Sequence, residues 1–364
     1  MSFSDFYGNL EVVSRLREML ARGRFPQSII LAGPRGAGKY TLAQMVAKAM
    51  NCLAPPAGGT PDFCGECLNC TRIAQADDLA ARFGEAVDAR EALRETDRKE
   101  TRILVQTHPD VLVIPPDPPQ MMIKVDQVRR VTELLHRRPS AGGRGVFIFT
   151  DSAFMKEAAN ALLKGLEEPP DFATIFLLTE NPGELLSTIR SRCVSVTLAP
   201  LAVEQVERFL ARFRPEWSAS QRSLAARLSG GAVGAARGFD VSAYTSARKD
   251  ALVLLHAGVD ADDHSALFRT TETYRAGAEG RAKLELLLHT VYSLLHDLTF
   301  LNGGAPELVR NQDIVPELER LAAQIDFRWL ADATERVGEV ESGMRRNLLR
   351  NLSLDAFATS LADR

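Results

Sequence analysis

The run Ile29-Ile30-Leu31-Ala32-Gly33-Pro34-Arg35-Gly36-Ala37-Gly38-Lys39-Tyr40 decides how this 364-residue chain folds. It opens on a short apolar stretch that reads as a buried strand. It passes through a glycine-rich loop to a lysine, then into Thr41–Met50, whose apolar spacing predicts an amphipathic helix. Strand, glycine loop, lysine and helix in that order make a phosphate-binding P-loop. Gly33, Gly36 and Gly38 let backbone N–H groups curl round an anion, and the helix N-terminus adds the positive end of its dipole. Lys39 would reach the terminal phosphates of a nucleotide. A glycine-lysine match alone is weak; the strand before it and the helix after it make it specific. One position departs from the pattern. The residue after the lysine should be Ser or Thr, whose hydroxyl holds magnesium. Here it is Tyr40, whose phenol sits too far from the backbone, and Thr41 comes one residue late, about 100° further round the helix. The loop is shaped for a nucleotide, with ATP and magnesium as candidate occupants, but is poorly equipped to hydrolyse it.

The length predicts two or three domains. At 45% hydrophobic and 25% charged residues the composition is that of a globular protein, which excludes a disordered chain or a fibre. No apolar run approaches the roughly 20 residues of a membrane span, so no membrane partner is expected. Met1-Ser2-Phe3-Ser4-Asp5 has neither the basic region nor the apolar core of a signal peptide, and a cytoplasmic location is expected. A net charge of −3 argues against a protein that coats nucleic acid over its whole surface, though not against a local basic patch.

Cys52, Cys64, Cys67 and Cys70 cluster with two-residue gaps between the last three. In a reducing compartment this pattern points to metal rather than disulfides, and four thiolates suit a closed tetrahedral structural zinc site. The alternative is four free surface thiols. Cys193, in Cys193-Val194-Ser195-Val196, reads as a buried strand residue.

Around these landmarks the chain reads as α/β and then all-α. Phe6–Ala21 predicts a helix with Leu10, Val13, Leu16 and Leu20 on one face. The Pro- and Gly-rich loop Ala54–Gly59 opens the cysteine module. The stretch 77–102 is dense in charge and predicts a polar helix or helical hairpin, a solvated appendage. Strands are expected at Val111–Ile114, Val146–Phe149, Ile175–Leu178 and Val194–Val196. Helices are expected from Asp126, as N-cap, to Arg138, and from Ala158 to Glu168, stopped by Pro169-Pro170. Strands alternating with helices imply a parallel sheet covered on both faces. After Pro200 helix follows helix, broken near Ser229-Gly230-Gly231, Gly258 and Asn302-Gly303-Gly304. Arg129, Arg130, Arg137 and Arg138 fall on the Asp126–Arg138 helix. They read either as a solvated face or, with Arg144, as contacts to DNA phosphates.

The P-loop, the four cysteines, His108-Pro109-Asp110, Asn160-Ala161-Leu162-Leu163-Lys164-Gly165-Leu166-Glu167-Glu168-Pro169-Pro170 and Ser191-Arg192-Cys193 occur in one order. This order resembles the bacterial clamp-loader AAA+ proteins of DNA polymerase III, with their delta-prime and tau/gamma branches. The resemblance covers about residues 1–240; Asn347–Asp355 is more weakly similar to the last collar helix of delta-prime. It implies three regions. Residues 1–200 would be an AAA+ P-loop domain with a parallel sheet, the zinc module at 52–70 and the charged insertion at 77–102. Residues 201–242 would be a small helical lid. Residues 243–364 would be an all-α C-terminal collar that oligomerises. The implied complex is a hetero-pentamer with tau/gamma and delta that opens the beta sliding clamp and places it on primed DNA. In the family the arginine of Ser-Arg-Cys enters the neighbouring subunit's ATP site. Arg192 matches it, with Arg190 the nearest competitor and an ordinary surface arginine the plain alternative. A guanidinium there would stabilise charge on the transferring phosphoryl group.

Departures from the motor pattern point to the delta-prime branch. Tyr40 replaces the magnesium hydroxyl. Val146–Phe149 leads to Thr150-Asp151-Ser152, so Asp151 is the one carboxylate where a working site has Asp-Glu. Gly234 stands where the lid of a motor subunit offers an arginine. With the sequence ending at 364, the long C-terminal extension of tau is not expected. Asn181 falls where the family has a polar residue that senses the γ-phosphate; it also reads as a turn-forming Asn before Pro182. The resemblance therefore implies a subunit of the DNA polymerase III holoenzyme with little or no ATPase of its own. The rival readings are a hydrolysing tau/gamma-type motor and a stand-alone P-loop kinase. The helical C-terminal third and the Ser-Arg-Cys tripeptide argue against the kinase.

Overall fold

The computed structural model describes residues 2–57, 60–259, 264–275, 278–344 and 349–362. Gly58 and Gly59 of the proline-glycine loop, and Asn347 and Leu348 of the C-terminal run, lie outside the described residues. The chain divides into two units, Met1–Phe209 with Gly230–Ala236, and Leu210–Ser229 with Arg237–Arg364. Residues 201–242, expected as a separate lid, are thus shared between them.

In the first unit, α1 (Leu10–Ala21) leads to β1 (Ser28–Ala32), the glycine loop and α2 (Lys39–Asn51). Next come α3 (Leu68–Ala74), α4 (Leu79–Glu91), α5 (Glu95–Glu100), β2 (Val105–His108) and β3 (Val111–Ile114). Helix α6 (Val125–Leu135), β4 (Gly145–Phe149), α7 (Lys156–Glu167), β5 (Ala173–Thr179), α8 (Ser187–Arg190), β6 (Val194–Thr197) and the start of α9 (Val203–Phe213) complete the series. The strands form one sheet in the order β2-β3-β4-β5-β1-β6. All pairs are parallel except β2 with β3, so the sheet is largely rather than wholly parallel. Ile29, Leu31, Val146, Ile148, Phe176 and Leu178 pack on one face. Their alternates Ile30, Ala32, Phe147, Phe149, Ile175 and Leu177 pack on the other. Burial on both faces is why these strands are continuous apolar runs. Gly165 lies where helices meet: a Cβ there would come within 3.2 Å of Leu135 Cδ2. That close approach of α7 to α6 explains a glycine inside a helix.

Several expectations need correction. Helix α1 starts at Leu10, after Gly8 and Asn9 take positive φ, and Leu10 is exposed while Val13 and Leu16 are buried. Helix α6 is capped by Lys124, whose N–H donates to Gln127 Oε1 (2.8 Å), rather than by Asp126. It ends at Leu135, so Arg137 and Arg138 lie beyond it. Cys193 precedes β6 and is half-buried rather than a strand residue. Burial among apolar neighbours still pushes its thiol up to about 12. The 77–102 stretch is the helical pair α4 and α5, but not merely a solvated appendage. Arg90, 7% exposed, reaches buried Asp117 at 3.1 Å, and Asp117 also accepts from the Ile103 N–H at 2.9 Å.

The second unit is all-helical: α10 (Ala219–Leu228), the end of α11 (Val233–Arg237), α12 (Val241–Ala257), α13 (Ser265–Glu272), α14 (Ala278–Asn302), α15 (Val315–Ala322), α16 (Phe327–Met344) and α17 (Arg350–Ala362). Its core joins α12, α14, α16 and α17 through Leu255, Leu287, Leu294, Ala333 and Phe357. Fully buried Asp297 accepts from the Arg310 and Asn311 N–H groups and from Asn311 Nδ2 (2.7–2.9 Å), so its charge is satisfied rather than stranded. Among the described residues, no helix is long and apolar enough to cross a membrane.

Candidate functional site

The glycine loop connects β1, an interior strand between β5 and β6, to the N-terminus of α2. Gly33, Gly36 and Gly38 have φ of 144°, 81° and 91°, backbone that residues with a Cβ rarely adopt. Lys39 folds back on the loop, and its Nζ donates to Gly33 O (2.6 Å) and Pro34 O (3.0 Å). Burial lowers its pKa from the usual lysine value; Glu180 and Asp151 oppose that shift and Arg35 adds to it. Beside the loop opens a cavity of about 730 Å³, within the usual size of small-molecule sites, lined by Gly36, Gly38, Lys39, Thr41 and Asp151 among others.

Tyr40 contributes to the wall of this cavity, but its hydroxyl is engaged elsewhere. It donates to Ala76 O and accepts from Gln44 Nε2, both at 2.6 Å. Burial raises its pKa strongly, so it stays neutral. The tyrosine thus ties α2 to the turn after α3, beside the cysteine module.

Asp151 borders the cavity, and its Oδ1 accepts from the Ala153 N–H at 2.8 Å. Asn181 is not among the lining residues; its Oδ1 accepts from the Gly183 N–H at 2.9 Å in a turn. Sequence reasoning missed Ser152, Thr179, Glu180 and Glu184. Thr179 Oγ1 donates to Ser152 Oγ (3.0 Å), which donates to Glu184 Oε2 (2.7 Å). The one signal for them is their place at or just past the ends of β4 and β5, which the sheet brings to the same end as the glycine loop after β1. Gly234 also lines the cavity. Its N–H donates to Gly36 O at 2.9 Å, and a Cβ there would stand 2.7 Å from that oxygen.

The four cysteines come together. Their sulfurs all lie within 4.8 Å of one another, and those of Cys52 and Cys64 are 3.5 Å apart. Sulfurs arranged tetrahedrally round zinc at about 2.3 Å are about 3.8 Å apart. Backbone N–H groups of Leu53, Cys64 and Cys67 donate to Cys67, Cys52 and Cys64 sulfurs at 3.3–3.4 Å, which favours thiolates and orients them. Burial raises the Cys67 thiol, but N–H donors from Cys70 and Leu53, with the Cys70 and Cys64 thiols, outweigh it and bring it to about 6. Donor set, spacing and N–H support make this a structural zinc site. His108, buried beside β3, accepts from the Asp110 N–H through Nδ1 (3.1 Å), and burial lowers its pKa, offset in part by Asp110. The Asp110 carboxylate accepts from the Ser140 and Ala141 N–H groups (2.8 Å). The His-Pro-Asp motif thus fixes the loop before β4.

Arg192 follows α8 and is not among the residues lining the cavity. Its Nη2 meets Glu167 Oε1 at 2.9 Å, and its Nη1 donates to Thr188 O at 2.9 Å. Arg190 is exposed and has no ion pair among the described residues. Arg129 and Arg130 pair with Asp126 and Glu133 of their own helix, each at 3.2 Å.

The family model described as "DNA polymerase III, delta subunit" matches residues 8–81 and 76–202. The chain is 33% identical over 212 residues to DNA polymerase III subunit delta' of Pseudomonas aeruginosa, covering 58% of this chain and 54% of that protein. It is 36% identical over 219 residues to subunit delta' of Escherichia coli, covering 59% and 62%. Identity to the Escherichia coli subunit tau is 30% over 206 residues, covering 56% and 26%. The chain therefore aligns with less than two thirds of each relative's length. On the extent of the family match, the chain belongs to the bacterial DNA polymerase III clamp-loader family of delta-prime, tau and gamma subunits.

Proposed function

We propose that the chain is a delta-prime-like stator of a clamp loader. It joins tau/gamma and delta in a hetero-pentamer through a C-terminal collar at 243–364, with 201–242 as a lid. It supplies Arg192 in trans to a neighbour's ATP site, and so helps place the beta sliding clamp on primed DNA. Its own P-loop, formed by Gly33, Gly36, Gly38 and Lys39 with Thr41, Asp151 and Asn181 nearby, hydrolyses ATP negligibly. One observation carries this reading. Where a magnesium-binding hydroxyl belongs, Tyr40 stands with its phenol committed to Ala76 and Gln44. Identities of 33% and 36% to delta-prime relatives against 30% to a tau relative support the same branch. The cavity beside Lys39 favours nucleotide binding without turnover as the residual property of the site.

The test is a reconstituted pentamer. Arg192→Ala should leave assembly intact and lower DNA-stimulated ATPase and clamp loading. A trans arginine finger is worth roughly 10³–10⁵ in rate at the site it serves in small GTPases. The bulk loss should be partial, since only the adjacent site depends on this subunit. Arg190→Ala, the charge-matched control, should retain activity. Equal behaviour of the two variants removes the assignment.

A further inference from the structure

We propose that Glu167 is a positioning residue for Arg192, holding one edge of its guanidinium so that the other edge is presented to a neighbour's phosphate. The proposal rests on the reading of Arg192 as a group acting in trans. Its starting point is a carboxylate in an unfavourable place. Glu167 is the last residue of α7, followed by Glu168 and the prolines that stop the helix. Acidic side chains at a helix C-terminus face the negative end of its dipole. A cation offsets that, and Arg192, 25 residues further on, reaches it at 2.9 Å.

The geometry of the fork is informative. Arg192 Nη2 is held by Glu167 Oε1, while Nη1 donates to Thr188 O and stands 3.4 Å from Ser191 Oγ. Guanidinium carries five N–H donors. Its Nε–H and the second Nη2 N–H have no partner among the described residues. Those donors are left to meet a phosphate or carboxylate. Thr188 and Glu167 therefore act as a back-rest. They remove rotamer freedom from a long side chain before the neighbour arrives, which lowers the entropy lost in the transition state. The Arg192 and Glu167 side chains are 35% and 52% exposed, and pairs that open to water add little to folding. Loss of Glu167 is therefore felt in the chemistry of the assembled loader rather than in the stability of this chain.

The experiment uses the assembled pentamer with primed DNA and clamp, measuring kcat and KM for ATP. The variants are Glu167→Ala, Glu167→Gln, Arg192→Ala and the Glu167→Ala/Arg192→Ala pair. Glu167→Ala should lower the Arg192-dependent part of kcat by about tenfold, the lower end of what losing an orienting partner does to a metal ligand. KM should stay within about twofold, as expected for an interaction that matters in the transition state. Glu167→Gln, which keeps an acceptor at the same reach, should recover part of the loss. In the Arg192→Ala background, Glu167→Ala should have no further effect. An undiminished or increased rate in Glu167→Ala overturns the proposal, as does an equal loss with and without Arg192. If Arg192→Ala matches Arg190→Ala, the trans reading itself has failed, an outcome separate from the first two.

Discussion

Replacing Tyr40 by phenylalanine removes one oxygen and two hydrogen bonds of 2.6 Å, and the consequence can be worked from the partners left behind. The Ala76 carbonyl loses its tyrosine donor. The Gln44 amide loses an acceptor in a side chain only 2% exposed, whose Oε1 already has no partner. A buried polar group left unsatisfied costs about 1–3 kcal/mol. Tyr40→Phe should therefore weaken the joint between α2 and the turn after α3 by about 2 kcal/mol, roughly a thirtyfold increase in local opening. Tyr40→Thr also removes the ring and should cost about 3 kcal/mol, the low end for deleting a buried aromatic because this one is only partly buried. Native-state amide exchange at residues 68–77 reads the local effect, with zinc held saturating. The same variants should remain without magnesium-dependent ATP turnover, since Asp151 still lacks a following glutamate and Gly234 is unchanged. Unaltered exchange in Tyr40→Phe would show that the phenol is not a structural tie. A Tyr40→Thr protein that is as stable as the parent and turns over ATP near 1 s⁻¹, an ordinary enzyme rate, would refute the reasoning outright.

Elemental analysis should find one zinc per chain at Cys52, Cys64, Cys67 and Cys70, and under a tenth of an equivalent would exclude the site. In zinc-free protein Cys67 should be alkylated first: its pKa near 6 lies below the ordinary thiol value, so it is thiolate at neutral pH and loses reactivity as pH falls through 6. Cys193, pushed up to about 12, should stay unreactive across the same range. Asp117→Ala leaves the buried Arg90 with only the half-exposed Glu91 at 3.9 Å and should cost about 3 kcal/mol in urea denaturation, more than replacing both partners by apolar residues.

What could be read from the sequence follows distance along the chain. The cysteine cluster was legible because its four ligands fall within one short stretch, where spacing alone limits geometry. Strands β1, β3, β4 and β5 announced themselves as unbroken apolar runs because both faces of the sheet are covered. Strand β2 did not: Val105-Gln106-Thr107-His108 is short, half polar and at the sheet edge, with only its end residues buried. The sequence pattern extends α6 to Arg138 because its arginines continue past Leu135, where the helix itself ends. Arg90 carried no sign of burial, since its partner Asp117 lies beyond the insertion and meets it only in three dimensions. The cavity carboxylates Glu180 and Glu184 were invisible for the same reason: nothing in the sequence says that β5 lies beside β1.

The glycine loop is held in shape by contacts of its own. The lysine and one carbonyl of the loop already have partners within the first unit. Lys39 Nζ is shared between Gly33 O and Pro34 O, and Gly36 O takes the Gly234 N–H. A Cβ on Gly36 would come within 2.4 Å of Ala235 N, so the 230–236 segment rests on bare backbone. These contacts use the same glycines that phosphate binding requires, and they make the loop a joint between β1, α2 and that segment. A nucleotide has to draw Lys39 off two carbonyls before it gains the ammonium, so part of its binding free energy offsets that loss. A side chain at position 234 has to push the segment off Gly36 before it can reach the cavity. The close backbone contact at Gly234 therefore leaves no room for a longer side chain there without moving the segment, which is why glycine suits this position.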